Sequence, residues 1–178
     1  CNTDKPLSFY AASKKCNEVI AYSYSNVFKL PCTGLRFFTV YGPYGRPDMA
    51  LFKFTKSILS NKTLELYNNS KHVRDFTYID NVIDYISSLI FVIPNNNIPY
   101  KIYNVGSNNP KRLKTFLKYI EKYLNKKAKV VHKKLQVGDV YKTHANNSAI
   151  IKKTKISNNT NIDKGIETFI DWYTSFYR

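Results

Sequence analysis

Acidic residues are scarce in this chain. Twelve aspartates and glutamates stand against 28 lysines and arginines, a formal charge of +16 over 178 residues. Cysteine is scarce too. Cys1, Cys16 and Cys32 share no CxxC spacing, and His72, His132 and His144 lie far apart without an HExxH pattern. Neither a disulfide framework nor a metal site is signalled, and three unframed cysteines suit a reducing cytoplasm. The longest apolar run, ISSLIFVI, is too short to cross a bilayer, so no membrane span is expected. The opening stretch CNTDKPLSFY lacks the basic-then-apolar order of a secretory leader. The first residue is Cys rather than Met, and the expectation is a fragment of a longer chain. No recognisable nucleic-acid module accompanies the positive charge, whose lysines are scattered apart from pairs such as Lys133-Lys134 and Lys152-Lys153. No nucleic-acid partner is expected, although a basic surface attracts a substrate carrying a diphosphate.

What is present is an apolar content of 43%, enough for a real core, and an aromatic share of 15% dominated by tyrosine. Residues 8–28 have helical spacing, with Ser8 as a cap and Tyr10, Cys16, Val19, Ile20 and Tyr24 as inward positions. TGLRFFTV (33–40) reads as one buried strand and YGPYGRPD (41–48) as a loop. Helical spacing returns over 50–61, and 64–67 and 73–78 read as short extended pieces. Asp80 is expected to cap a helix running to Val92. KIYNVG (101–106) reads as a strand and 112–125 as an amphipathic helix with Leu113, Phe116, Leu117, Ile120 and Leu124 on one face. A strand over 129–132, an irregular stretch over 134–148 and a helix over 164–176 follow. Helices alternating with short strands indicate α/β, with no repeat and no linker that would split the chain.

The stretch SFYAASKK (8–15) sets Tyr10 and Lys14 four residues apart. On a helix those side chains share a face. A free phenol, with a pKa of ~10, is a poor base at neutral pH, and bringing it to about 7 needs roughly 4 kcal/mol. An ammonium about 4 Å away supplies an interaction of about that size at an effective dielectric of ~20. The pair can therefore be an acid–base couple. Spacing alone leaves two other readings open, an ordinary helix surface and part of a basic patch.

Several ordered stretches narrow the choice. SFYAASKKCNEVIAYSYS, LRFFTVYGPYGRPDMALFKF and VRDFTYIDNVIDYI, with YNVGS at 103–107 and VGDV at 137–140, resemble the extended short-chain dehydrogenase/reductase family. Within it the chain looks like the NAD-dependent nucleotide-sugar epimerases, nearest the UDP-glucuronate 4-epimerase subgroup. The likeness covers essentially the whole chain. It implies the C-terminal part of a Rossmann-type α/β enzyme with a mixed α/β substrate-binding lobe. Residues 1–40 would end the NAD-binding domain, and 41–178 would be mainly the nucleotide-sugar lobe, with some segments returning to the Rossmann part. The implied reaction is epimerisation of a UDP-sugar at its 4-position through a transient 4-keto intermediate, with UDP-glucuronate to UDP-galacturonate favoured by GRPDM. UDP-glucose 4-epimerase, UDP-glucuronate decarboxylase, nucleotide-sugar 4,6-dehydratase and a non-catalytic nucleotide-sugar-binding remnant remain alternatives.

The resemblance also assigns expected roles. Tyr10 would be the catalytic acid–base, and Lys14 would lower its pKa and hold the nicotinamide ribose. Phe37 and Phe38 would border the nicotinamide, and Thr39 would touch the sugar. Arg46 would serve the sugar carboxylate, to which a guanidinium pairs bidentately; the alternative is an exposed loop arginine. Tyr67 would pack near uracil or in the core. Arg74 would grip the diphosphate, the alternative being an ion pair with Asp75, and Asp139 would lie near the uridine ribose. Gln136 stands where some relatives carry a phosphate-binding arginine. Relatives commonly form homodimers through the Tyr/Lys helix, whose outward face here carries Tyr22 and Val27. The family's Gly-rich dinucleotide turn and the Ser/Thr that precedes the tyrosine have no counterpart in the sequence. The expectation is that these 178 residues alone neither hold NAD nor turn over.

Overall fold

A helix starts where the chain offers a cap. Ser8 is extended (φ −149°) and its hydroxyl accepts from the Ala11 N–H at 3.2 Å, opening α1 (Phe9–Phe28), which closes on Lys29 in the left-handed region. The computed structural model describes residues 3–135, 139–157 and 159–177. Strand β1 (Cys32–Phe37) follows, then β2 (Thr39–Tyr41), α2 (Ala50–Leu59), β3 (Thr63–Tyr67), β4 (Val73–Arg74), β5 (Phe76–Tyr78) and α3 (Ile79–Leu89). The second half holds β6 (Tyr100–Val105), β7 (Lys111–Arg112), α4 (Leu113–Leu124), β8 (Lys129–Lys133), α5 (Ser148–Thr154) and α6 (Ile162–Phe176).

Four strand pairs result among the described residues. β1 runs parallel to β6, β2 to β5 and β3 to β8, while β4 and β7 are antiparallel. Parallel neighbours require crossovers, and helices supply them. The expected single strand over 33–40 is two strands. Phe38 N–H still bonds Val105 O at 3.0 Å, but Thr39 N–H bonds Asp75 O at 3.1 Å, so the chain changes partner between adjacent residues. The extended piece over 73–78 breaks likewise at Asp75, between β4 and β5.

Two apolar clusters organise the packing. The larger joins Tyr41, Phe52, Ile58, Leu64 and Phe76 to the inner faces of α4 and α6. The amphipathic reading of α4 holds: Phe116, Leu117 and Ile120 are buried, with Leu113 and Leu124 packed at the margin. The smaller cluster gathers Val82, Tyr85, Leu89, Tyr103, Val105 and Ile150, with Leu35 and Val40 against it.

Three expectations need correction. Asp80 lies in the first turn of α3 and does not cap it; Tyr78 occupies the cap position. The stretch expected to be irregular, 134–148, gives way at Ser148 to α5, a helix the sequence reading did not anticipate and which buries Ile150. The supposed inward face of α1 is exposed: Val19, Ile20 and Tyr24 are each 56% accessible, and Cys16 is exposed. Polar residues make the contact with β1 and β6 instead. Glu18 pairs with Arg36, Tyr100 Oη donates to Glu18 O at 3.0 Å, Tyr22 meets Tyr100 edge-on, and Ser25 is fully buried. At about 100° per residue the apolar stripe lies roughly half a turn away from the face the sheet covers. Among the described residues no helix is long and apolar enough to cross a membrane.

Candidate functional site

Tyr10 and Lys14 stand together on the first two turns of α1. Lys14 Nζ lies 5.4 Å from the centre of the Tyr10 ring, and Tyr10 is 72% accessible. Their shared face follows from the helical period once Ser8 has fixed where the helix begins.

The second group comes from the end of β1 and the loop after β2. Phe37 closes β1 opposite Val105 and is half exposed. Phe38 packs on Gly106, where a side-chain carbon would lie 3.2 Å from Phe38 Cδ2 and would overlap Ala145 Cβ. Gly106 therefore permits the close approach of three segments. Thr39 opens β2, paired with Phe76. Thr39, Tyr41, Gly42, Arg46 and Met49 help to line a small cavity of about 30 Å³, room for a water. Gly42 has φ +144°, a conformation open to glycine, and sends the loop away from the strand. Arg46 is exposed, as one reading of the sequence expected, but is paired: Nε donates to Asp48 Oδ1 at 3.0 Å and Nη2 to Asp48 Oδ2. The hydrogen bonds to Asp48, then its charge, raise the Arg46 pKa, and the Tyr10 phenol adds a smaller push of the same sign.

The third group lies farther along. Tyr67 ends β3, half-buried, and its hydroxyl donates to Glu65 Oε2 at 3.0 Å; that bond raises the phenol pKa. Behind it Asn68, Asn69 and Ser70 all have left-handed backbones (φ 52°, 47° and 60°), a costly run outside glycine that asparagine tolerates best. Arg74 donates from Nη2 to Asp139 Oδ1 at 2.7 Å and from Nη1 to Tyr141 O at 3.2 Å. His72 Nε2, buried, sits 3.0 Å from Asp139 Oδ2 but out of hydrogen-bond alignment. The structure thus brings Arg74 and Asp139 together, 65 residues apart in sequence. Gln136 and the Val137-Gly138 part of VGDV lie outside the described residues.

The alternative partner expected for Arg74 is excluded. Asp75 is fully buried and makes no ion pair with it. Its Oδ1 accepts from Ser107 N at 2.8 Å and Ser107 Oγ at 2.7 Å, and its Oδ2 accepts from Ala145 N at 2.9 Å. Asp75 and Ser107 were missed as site-building residues. An acidic residue between an arginine and a β-rich run reads locally as an ion-pair partner, and adjacent side chains on a strand point to opposite faces.

Comparison with known proteins fixes the family. The family described as "NAD dependent epimerase/dehydratase family" matches residues 1–106. The chain belongs to it. It is 45% identical over 191 residues to Protein CapI of Staphylococcus aureus, an alignment covering 99% of this chain and 57% of that protein. It is 36% identical to the probable UDP-glucuronate 4-epimerase of Rhizobium meliloti (strain 1021), covering 98% of this chain and 56% of that one. Among solved structures, UDP-glucuronic acid 4-epimerase from Bacillus cereus, in complex with UDP-glucuronic acid and NAD, matches with a TM-score of 0.90 at 30% identity. That match covers 97% of this chain and 55% of the other. The chain thus spans a little over half the length of these relatives. Over that span the family member has the mixed α/β fold of the Rossmann-type extended short-chain dehydrogenases, as the sequence resemblance implied.

Proposed function

We propose that the protein containing this chain is an NAD-dependent epimerase that inverts a UDP-sugar at its 4-position, with UDP-glucuronate and UDP-galacturonate as the pair it interconverts. The observation that carries the reading is Lys14 held beside Tyr10 on one face of α1, its Nζ 5.4 Å from the ring centre.

The residues present fit the cofactor. Phe37 and Phe38 stand at the carboxyl end of parallel strand β1, beside the end of β6, the edge where open α/β sheets bind ligands. Lys14 would hold the nicotinamide ribose, and Phe37 and Phe38 would border the nicotinamide. NAD would supply a hydride acceptor for sugar C4 and a donor for its return. Tyr10 takes the proton of the 4-hydroxyl and later gives it back, with the Lys14 ammonium beside its ring. Thr39 touches the sugar. Arg46 meets the uronate carboxylate with the guanidinium hydrogens that Asp48 leaves free, since Asp48 engages only Nε and Nη2 of the five-donor fork. Arg74 binds the diphosphate, Asp139 the uridine ribose and Tyr67 the uracil face.

Residues 1–40 contribute to the cofactor domain and 41–178 mainly to the sugar-nucleotide lobe. The two apolar clusters support that division, the smaller drawing returning segments from α3, β6 and α5. The protein acts as a homodimer through α1, whose exposed Val19, Ile20 and Val27 support an apolar contact, and it works in the cytoplasm.

The test offers each UDP-sugar separately to the intact protein and resolves the products, then repeats the assay with Tyr10→Phe. UDP-galacturonate from UDP-glucuronate is the expected product, and the variant should retain NAD while losing turnover. Near-normal activity in Tyr10→Phe removes the acid–base role. A pentose product, or preference for a neutral sugar, overturns the uronate epimerase assignment.

A further inference from the structure

Asp75 is a fully buried carboxylate with no ion pair among the described residues. Such a group is tolerated only when its oxygens are engaged by donors. Here three donors converge from two distant segments: Ser107 N and Oγ on Oδ1, and Ala145 N on Oδ2. The site needs acceptors at both oxygens. A carboxylate meets that need, whereas a carboxamide of the same shape turns its NH₂ against one set of donors.

The main chain of the same residue holds two more segments. Asp75 O accepts from Thr39 N–H at 3.1 Å, and Asp75 N–H donates to Thr143 Oγ1 at 3.1 Å. One residue thereby joins the start of β2, the end of β6 and the 143–145 segment. On one side of the node, Phe38 rests on Gly106, adjacent to Ser107. On the other, Thr143 N–H bonds Val73 O at 3.0 Å, Val73 N–H bonds Tyr141 O at 3.1 Å, and Tyr141 O accepts from Arg74.

We propose that Asp75 is a positioning residue that fixes Phe38 and Thr39 relative to Arg74 and Asp139. The proposal rests on the function given above for its catalytic consequence, but the mechanical link is independent of it. Through this node, occupation of the Arg74–Asp139 pair steadies residues 37–39 and 105–107. The same rigidity sets the sugar against Tyr10, where a displacement of about 1 Å lowers turnover by roughly 100-fold.

The test uses the intact protein with Asp75→Asn, and with Ser107→Ala as the milder variant that retains the Ser107 N–H bond. Two measurements are made. Amide hydrogen exchange is followed with and without UDP, and turnover is expressed per bound NAD. In the parent, UDP should slow exchange at 105–107 as well as near Arg74. In both variants the remote protection should vanish while protection near Arg74 persists, and turnover per bound NAD should fall about 10- to 100-fold. Remote protection equal to the parent's, or turnover per bound NAD within twofold of it, overturns the proposal and leaves Asp75 a purely structural residue. If the parent epimerises no UDP-sugar, the functional reading fails and the exchange comparison alone decides the node. If Asp75→Asn does not fold, Ser107→Ala decides it.

Discussion

Gly165→Ala sets two known effects of opposite sign against each other. Gly165 lies in the first turns of α6, where replacing glycine by alanine favours a helix by up to about 1 kcal/mol. In this fold, however, α6 leans on two buried tyrosines. A β-carbon at Gly165 would stand 2.5 Å from Tyr41 Oη, 2.8 Å from Tyr78 Cδ2 and 2.9 Å from Tyr41 Cε2. The Tyr41 ring cannot swing aside, being wedged edge-on against Phe76, Tyr78 and Phe116 at centroid separations of 6.3, 5.6 and 5.7 Å. Restoring ordinary contact at 3.4 Å needs a retreat of about 0.9 Å (3.4 − 2.5) at the closest atom. Overpacking of this kind costs about 1–3 kcal/mol. Closing nearly 1 Å against a wedged ring puts the cost in the upper part of that range, so the clash wins and the net loss should be roughly 1–2 kcal/mol. Unfolding of the intact protein in a urea titration, followed by circular dichroism, reads the difference. A variant as stable as the parent, or more stable, refutes the steric argument. Tyr41→Phe locates the effect. Its hydroxyl is buried without a partner, and burial pushes the phenol pKa up. Removing it should be neutral or stabilising by up to about 1 kcal/mol. It should also relieve the Gly165→Ala defect by at least about 0.5 kcal/mol in the double variant, since the closest contact is gone. Strict additivity would place the clash elsewhere.

Two further outcomes are expected. Arg36 hydrogen-bonds Glu18 at 2.6 Å through both Nε and Nη2, and these bonds lead the causes that hold the Glu18 pKa below the ordinary 4.5. A carboxylate lowered in the folded state stabilises it fully above the unfolded value and loses that contribution as pH falls through the folded one. The parent should therefore lose urea stability more steeply than Glu18→Gln as pH falls below 4.5, and parallel profiles would refute the link. Arg46→Ala should lower kcat/KM about 10- to 100-fold for UDP-glucuronate, the range set by losing a hydrogen bond to a charged group, and below about threefold for UDP-glucose. Equal losses for both sugars would remove the carboxylate role.

How much of this was legible beforehand follows from the range of each interaction. The α/β alternation, the helix over 8–28, its Ser8 cap and the side-by-side placement of Tyr10 and Lys14 are properties of a few consecutive residues, and the helical period delivers them. The family, too, is carried by short ordered stretches that survive as letters. The amphipathic face of α4 was readable for the same reason. The sequence could not say that α1 meets the sheet through Glu18, Tyr22 and Ser25 while its apolar stripe stays exposed, because periodicity shows that a face exists and not what covers it. Nor could it say that the chain changes strand partner between Phe38 and Thr39. It left Arg74 with two possible engagements, and only the fold turned Asp75 away from Arg74 and brought up Asp139 from 65 residues on. Ser107 and Ala145 reach the same buried carboxylate across 32 and 70 residues. Local chemistry chose the residues, and tertiary packing chose their partners, because a hydrogen bond depends on which segments meet in space and leaves no period in the chain.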